Sequence, residues 1–114
     1  MQSPWRLVSG GVTAPQGFAA SGIAAGLKPS GKPDLALLLA PEAAACAGAF
    51  TTSVVRAACV DLCHERLEST GGRARTVLIN SGQANACTGD RGLIDSQRAT
   101  QALADQLGLD SEAV

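Results

Sequence analysis

The period of the apolar positions changes along the chain, and each change marks a predicted element. From Phe18 to Leu27 the run FAASGIAAGL is small and apolar. Lys28-Pro29-Ser30-Gly31-Lys32-Pro33 then makes a charged turn, and Asp34 leads into the continuous apolar run Leu35 to Leu39. This predicts two strands around a loop, the second buried on both faces because it does not alternate. Pro41-Glu42-Ala43-Ala44-Ala45 predicts a helical turn, with Pro first and Glu early. Ala49 to Thr52 and Arg56 to Val60 read as short strands. Asp61 then caps a helix over Leu62 to Glu68, stopped by Gly71-Gly72.

The next stretch, RTVLINSGQANACTG from Arg75 to Gly89, organises the rest. Thr76 to Ile79 form a β-branched and leucine run of strand length, expected to be buried, and Asn80-Ser81-Gly82 ends it with turn chemistry. The loop beyond carries Asn80, Ser81, Gln83, Asn85 and Thr88, which donate or accept hydrogen bonds without charge. It suits neutral polar recognition. Asp90 to Leu107 is the long helix: Leu93, Thr100, Leu103, Ala104 and Leu107 share one face, and Arg91, Asp95, Arg98, Gln101 and Asp105 spread over the other. Such a helix is expected to lie on a sheet and to stop at Gly108. Asp110-Ser111-Glu112 has the pattern of a cap and first turn. Gly10 to Gly17 reads as an entry loop. The expected class is α/β or α+β: a single domain over 1–114, with a mixed sheet and helices packed on it.

Composition narrows the core and the partners. Hydrophobic residues are 46% of the chain and aromatics 3%, namely Trp5, Phe18 and Phe50, so the core must be Leu, Val, Ile and Ala. Nine Lys and Arg against ten Asp and Glu leave a net charge of −1, with no basic stripe and few rings to stack on bases, which argues against nucleic acid. No apolar run reaches the ~20 residues of a membrane-spanning helix. The opening MQSPWRLVSGG lacks the apolar core of a secretory signal, so a cytoplasmic protein is expected.

Chemistry-bearing side chains are sparse. Cys46, Cys59, Cys63 and Cys87 are not at disulfide-framework spacings and read as reduced, mostly buried thiols. Cys59-x-x-x-Cys63-His64 holds zinc-type donors, but no second ligand cluster matches it. A Cys87 nucleophile with His64 as base and Asn80 or Asn85 as orienter is the next arrangement; against it, Cys87 sits among the small residues of a tight loop. Gly10-Gly11 and Gly22-x-x-x-Gly26 lack phosphate-cradling spacing, and Glu65 and Glu68 fall on the exposed side of a short helix. From the residues alone, no catalytic machine is visible.

The stretches GGVTAPQGF, GIAAGLKPSGKPDLALLLA, AGAFTTSVVRAACV and VLINSGQANACTGDRGL, in that order, resemble the opening of the ornithine acetyltransferase family, the bifunctional glutamate N-acetyltransferases. The resemblance runs from Gly10 to Val114. It implies acetyl transfer from N-acetylornithine to glutamate in arginine biosynthesis, giving ornithine and N-acetylglutamate, with acetyl-CoA as a second donor in some members and no cofactor. It also implies a precursor that cuts itself at an Ala-Thr bond into α and β chains, two of each per molecule, the freed Thr becoming the nucleophile. By the same resemblance the oxyanion-hole Thr-Gly, the substrate-binding Lys and the nucleophilic Thr fall after Val114. These residues therefore correspond to the N-terminal part of an α chain, with no catalytic residue of their own.

Residue chemistry and resemblance meet at Asn80 and Asn85. Neutral amides at the end of a strand suit the orientation of amino-acid substrates, so both are expected to border the acetyl-transfer cavity; the competing expectation is that they hold the loop's own backbone by Asx-type bonds. Two other classes stay open: a module that binds a small polar metabolite without turning it over, and an inert structural subunit.

Overall fold

A computed structural model describes all residues, 1–114. Three strands, β1 (Ala19–Ile23), β2 (Leu35–Ala45) and β3 (Arg73–Asn80), form an antiparallel sheet in the order β1-β2-β3. Helix α1 (Ala58–Ser69) precedes β3, and α2 (Gly89–Leu107) follows it, with a 3-10 turn at Ser111–Ala113. The register sets Leu37 against Ser21 on one side and Leu78 on the other. One sheet face therefore carries Leu35, Leu37, Leu39, Thr76, Leu78 and Asn80, and the other Ala36, Leu38, Val77 and Ile79.

The hairpin, the strand that ends at Asn80 and the long helix lie where the hydrophobic pattern puts them, that strand standing at the sheet edge beside β2. Gly108 closes α2 in the left-handed conformation at φ 63°, and the Asp110 side chain accepts from Glu112 N at 3.1 Å to cap the 3-10 turn. Leu93, Thr100, Leu103 and Leu107 are half-buried and Ala104 is fully buried, so the stripe on α2 stands.

Several local expectations are overturned. Pro41 to Ala45 continue β2 instead of forming a helical turn. Proline lacks the N–H a ladder needs, but β1 ends at the Ala19–Leu39 pair and the β2–β3 register shifts between Leu39 and Ala44, so Pro41 occupies the irregularity. Ala49 to Thr52 form no strand; nearby, Thr51 Oγ1 accepts from Ser53 N at 3.1 Å, a side-chain bond that competes with a ladder. Arg56 to Val60 are not a strand either, because α1 begins at Ala58 and only Ala57 keeps an extended bridge, to Ala86. Alanine favours the helix here. Asp61 stands inside the first turn of α1, not at its cap, and pairs with Arg56 at 2.6 Å.

Burial also departs from expectation. Leu35 to Leu39 are half-buried, Val77 and Ile79 are exposed, and of the four free thiols Cys46 is half-buried while Cys59, Cys63 and Cys87 are exposed. Helix α2 packs on α1 and the 3-10 turn more than on the sheet. Only six of 114 residues are buried, and the accessible surface is 8298 Å², against about 5,800 Å² for a closed fold of this mass. The radius of gyration is 15.6 Å, where about 13 Å is usual for this length. The excess surface comes from residues 1–26, almost all of them exposed, and from a space left between the sheet and the helices.

Candidate functional site

That space is a hollow of about 610 Å³, and its walls follow from the periodicities of the elements around it. On β3 the alternate residues Thr76, Leu78 and Asn80 line it. Thr76, only 3% exposed, satisfies its hydroxyl by donating to Leu38 O at 2.8 Å. Helix α1 contributes Cys59, Leu62, Cys63, Arg66 and Leu67, the i, i+3, i+4, i+7, i+8 set of one helical face. From α2 come Gly92, Ser96 and Thr100, and the loop after β3 closes one end with Gln83, Asn85 and Thr88. Its lining combines aliphatic side chains with amides and hydroxyls and with the charged Arg66, Arg73, Arg91, Asp95 and Glu112.

Asn85 is the hub of that rim. Its Nδ2 donates to Ser96 Oγ at 3.3 Å and its Oδ1 accepts from the Cys59 thiol at 3.8 Å, so one side chain reaches both helices. Ser96 Oγ donates to Gly92 O at 2.8 Å, and Thr88 Oγ1 donates to Asn85 O at 2.6 Å. Cys87, between them, adopts φ 58°, which is uncommon for a residue with a Cβ. Asn80 lines the same hollow at the end of β3, with no side-chain hydrogen bond of its own.

A second cluster supports the loop from below. The Asp34 carboxylate accepts from Ala25 N and from Lys28 N, each at 2.7 Å. Those two N–H groups, Lys28 first, hold its carboxyl below the ordinary aspartate value, against an opposing push from desolvation. Asp34 is 4% exposed, sealed by its own loop backbone rather than by depth in a core.

The other candidates do not assemble. His64 Nε2 sits 3.6 Å from Glu68 Oε1 and meets the Phe50 ring edge-on at 5.2 Å; no hydrogen bond joins it to Cys87, and Asn85 serves Cys59 and Ser96 instead. Desolvation, and then the neighbouring Cys59, raise the Cys63 thiol above its usual value, which disfavours a reactive thiolate. No three His, Cys, Asp or Glu side chains converge in the way a metal ion requires. Burial lowers the Arg66 guanidinium from its ordinary value, and its Nη1 donates to Val114 O at 3.0 Å. Ser96 was missed by sequence reasoning, although it lies on the stripe of α2, three residues past Leu93.

What remains is a group that can orient a small polar molecule and contains no nucleophile-base pair. The chain is thus an α+β polypeptide with a sheet-floored, amide-rimmed hollow. It belongs to the ArgJ family, which residues 19–114 match. It is similar to the arginine biosynthesis bifunctional protein ArgJ of Parasynechococcus marenigrum, at 86% identity over all 114 residues and 28% of that protein's length. It is also similar to the protein of that name from Prochlorococcus marinus strain MIT 9313, at 69% identity over the whole chain and 27% of the relative. The chain therefore spans just over a quarter of these relatives.

Two solved structures share the fold. The arginine biosynthesis bifunctional protein argJ of Bacillus halodurans matches 92% of this chain and 54% of its own, with TM-score 0.86 and 33% identity. The ornithine acetyltransferase of Mycobacterium tuberculosis, solved in complex with ornithine, matches 91% of this chain and 56% of its own, with TM-score 0.84 and 43% identity. No helix of the chain is long and apolar enough to cross a membrane.

Proposed function

We propose that these 114 residues are the N-terminal part of the α chain of an ornithine acetyltransferase, one folding unit that supplies scaffold and cavity wall. The complete enzyme moves an acetyl group from the nitrogen of N-acetylornithine to that of glutamate, releasing ornithine and forming N-acetylglutamate in arginine biosynthesis. The observation that carries this reading is the match over 91% of the chain, at 43% identity, to an ornithine acetyltransferase that holds ornithine. The absence of a nucleophile-base pair in the hollow agrees with bond-making groups supplied from outside these residues.

In this reading Asn80 and Asn85 border the acetyl-transfer cavity, orienting the backbone-like polar groups of the substrates with neutral hydrogen bonds. The α chain works with the β chain of its own precursor, two of each per molecule, in the cytoplasm. The test is an assay of the complete protein with N-acetylornithine and glutamate: formation of N-acetylglutamate with release of ornithine is expected. Ornithine binding measured by calorimetry without any turnover would replace the enzyme by a metabolite-binding module.

A further inference from the structure

The β1–β2 connection, residues 24–33, and the turn that leaves β3 are far apart in sequence and share one anchor. Main-chain bonds at Asp34 run both ways: its N donates to Ile23 O at 3.0 Å, and its O accepts from Ser81 N at 2.9 Å. Its carboxylate grips the backbone of Ala25 and Lys28 at 2.7 Å each, and Lys28 Nζ turns back to Pro33 O at 3.2 Å. The connection is thereby wound into one conformation, with Gly26 at φ 89° and Gly31 at φ 68° taking its sharp corners.

Gly82 rests on that seat. It has φ 93°, and a Cβ there would lie 2.6 Å from Lys28 Cγ and 3.5 Å from Leu27 O. Leu27 also lines the hollow beside Asn80 and Asn85. A carboxylate sealed at 4% exposure with two short backbone donors is more than a hairpin this open requires, since a solvated loop would satisfy the same N–H groups with water.

We infer that Asp34 is a positioning residue for the Asn80 to Gly89 loop: it holds Leu27 and Lys28 beneath Ser81 and Gly82, and so sets where Asn80 and Asn85 stand at the mouth of the hollow. The mechanical link depends only on this chain; its consequence for substrate rests on the acetyl-transfer reading. Because the loop offers neutral contacts made alike to substrate and transition state, loosening it weakens binding more than chemistry.

The experiment compares the complete protein carrying this sequence with its Asp34→Asn and Lys28→Ala variants by amide hydrogen exchange and by steady-state kinetics. In both variants the amides of 80–89 are expected to exchange about tenfold faster while those of α1 and α2 keep their rates. The KM for N-acetylornithine should rise about fivefold with kcat nearly unchanged. Lys28→Ala keeps the backbone N–H that Asp34 holds and removes the side chain lying beneath Gly82 without straining the loop, so it decides the matter if Asp34→Asn does not fold. Unchanged exchange at 80–89, or an equal rise over the whole protein, overturns the inference. Wild-type protein that transfers no acetyl group defeats the enzymatic reading instead, and the exchange data still decide on Asp34.

Discussion

Asn85 reaches across from the β3 loop to α2, its Nδ2 donating to Ser96 Oγ at 3.3 Å, so its side chain fastens the loop to a helix while Thr88 Oγ1 holds the Asn85 carbonyl within the loop. The same side chain takes the Cys59 thiol of α1, which makes this one residue a clasp between the two helices and the end of the sheet. The clasp itself is neutral, and the charges that face the hollow come from Arg66, Arg73, Arg91, Asp95 and Glu112 on its walls.

Replacing Asn85 by Ala removes both contacts. Neutral hydrogen bonds of this type contribute about 1 kcal/mol each, and the 3.8 Å thiol contact contributes less. In the complete protein Asn85→Ala should therefore lower the unfolding free energy by about 1 kcal/mol while changing KM or kcat by more than that loss explains. Denaturant melts alongside kinetics separate the two effects. A stability loss with unaltered kinetics would reduce Asn85 to a loop-holding residue.

Gly92 is buried on α2, and a Cβ built there would collide with Thr88 Oγ1 and approach Ala58 Cβ to 3.4 Å. Thr88 has a short side chain, so it can yield only by giving up its 2.6 Å bond to Asn85 O. Gly92→Ala would ordinarily gain helix propensity of nearly 1 kcal/mol. Here the clash is expected to reverse the sign, with a net loss of about 1–3 kcal/mol read from denaturant midpoints. Thr88→Ala with Gly92→Ala, which removes the colliding hydroxyl, should recover part of it while giving up the bond to Asn85 O.

Asp34 gives a pH dependence with a definite sign. Its carboxyl is lowered in the folded chain from the ordinary value of 3.8, so ionisation favours folding. The contribution is present above 3.8 and is lost as the pH falls through the lower folded value. Asp34→Asn should melt below wild type at neutral pH, and the gap should narrow as the pH drops into that acid range. Thermal melts of the complete protein at a series of pH values measure it; a gap that stays constant with pH would show that the charge on Asp34 contributes nothing.

What the residues disclosed depended on whether local pattern or distant contact decided each element. The α2 stripe, its Gly108 stop and the Asp110 cap are short-range, and the helical period with capping chemistry was enough to read them. Pro41 to Ala45 look helical by composition, but pairing with Arg73 and Ala74 keeps them extended, and that partner lies some thirty positions away in sequence. Ala57 and Ala58 divide between a bridge to Ala86 and the start of a helix, a division no run of alanines announces. At the hollow, Asn80 and Asn85 were legible as uncharged residues at a strand's exit. Ser96 and the two-sided grip of Asp34 emerge only once the elements are placed. The burial expected of Leu35 to Leu39 and the thiols requires a covering layer that these residues do not themselves provide.

The sheet leaves apolar side chains open to solvent. Of the apolar side chains on the two sheet faces, Ile23, Val77 and Ile79 are 53%, 42% and 52% exposed, and the hollow leaves further aliphatic wall open. With 8298 Å² accessible against the roughly 5,800 Å² of a closed fold of this mass, less apolar area is removed from water than a closed fold removes, which weakens the main contribution opposing conformational entropy. Expressed as 114 residues alone, the chain should self-associate through its sheet faces, bind a hydrophobic dye and melt without a sharp transition. The complete protein should show none of the three. Size-exclusion chromatography and calorimetry of both forms provide the comparison. A monomeric 114-residue chain with a single cooperative melt would mean that the hollow closes by rearrangement within these residues, and the proposal that they serve as one wall of a larger enzyme would lose its physical ground.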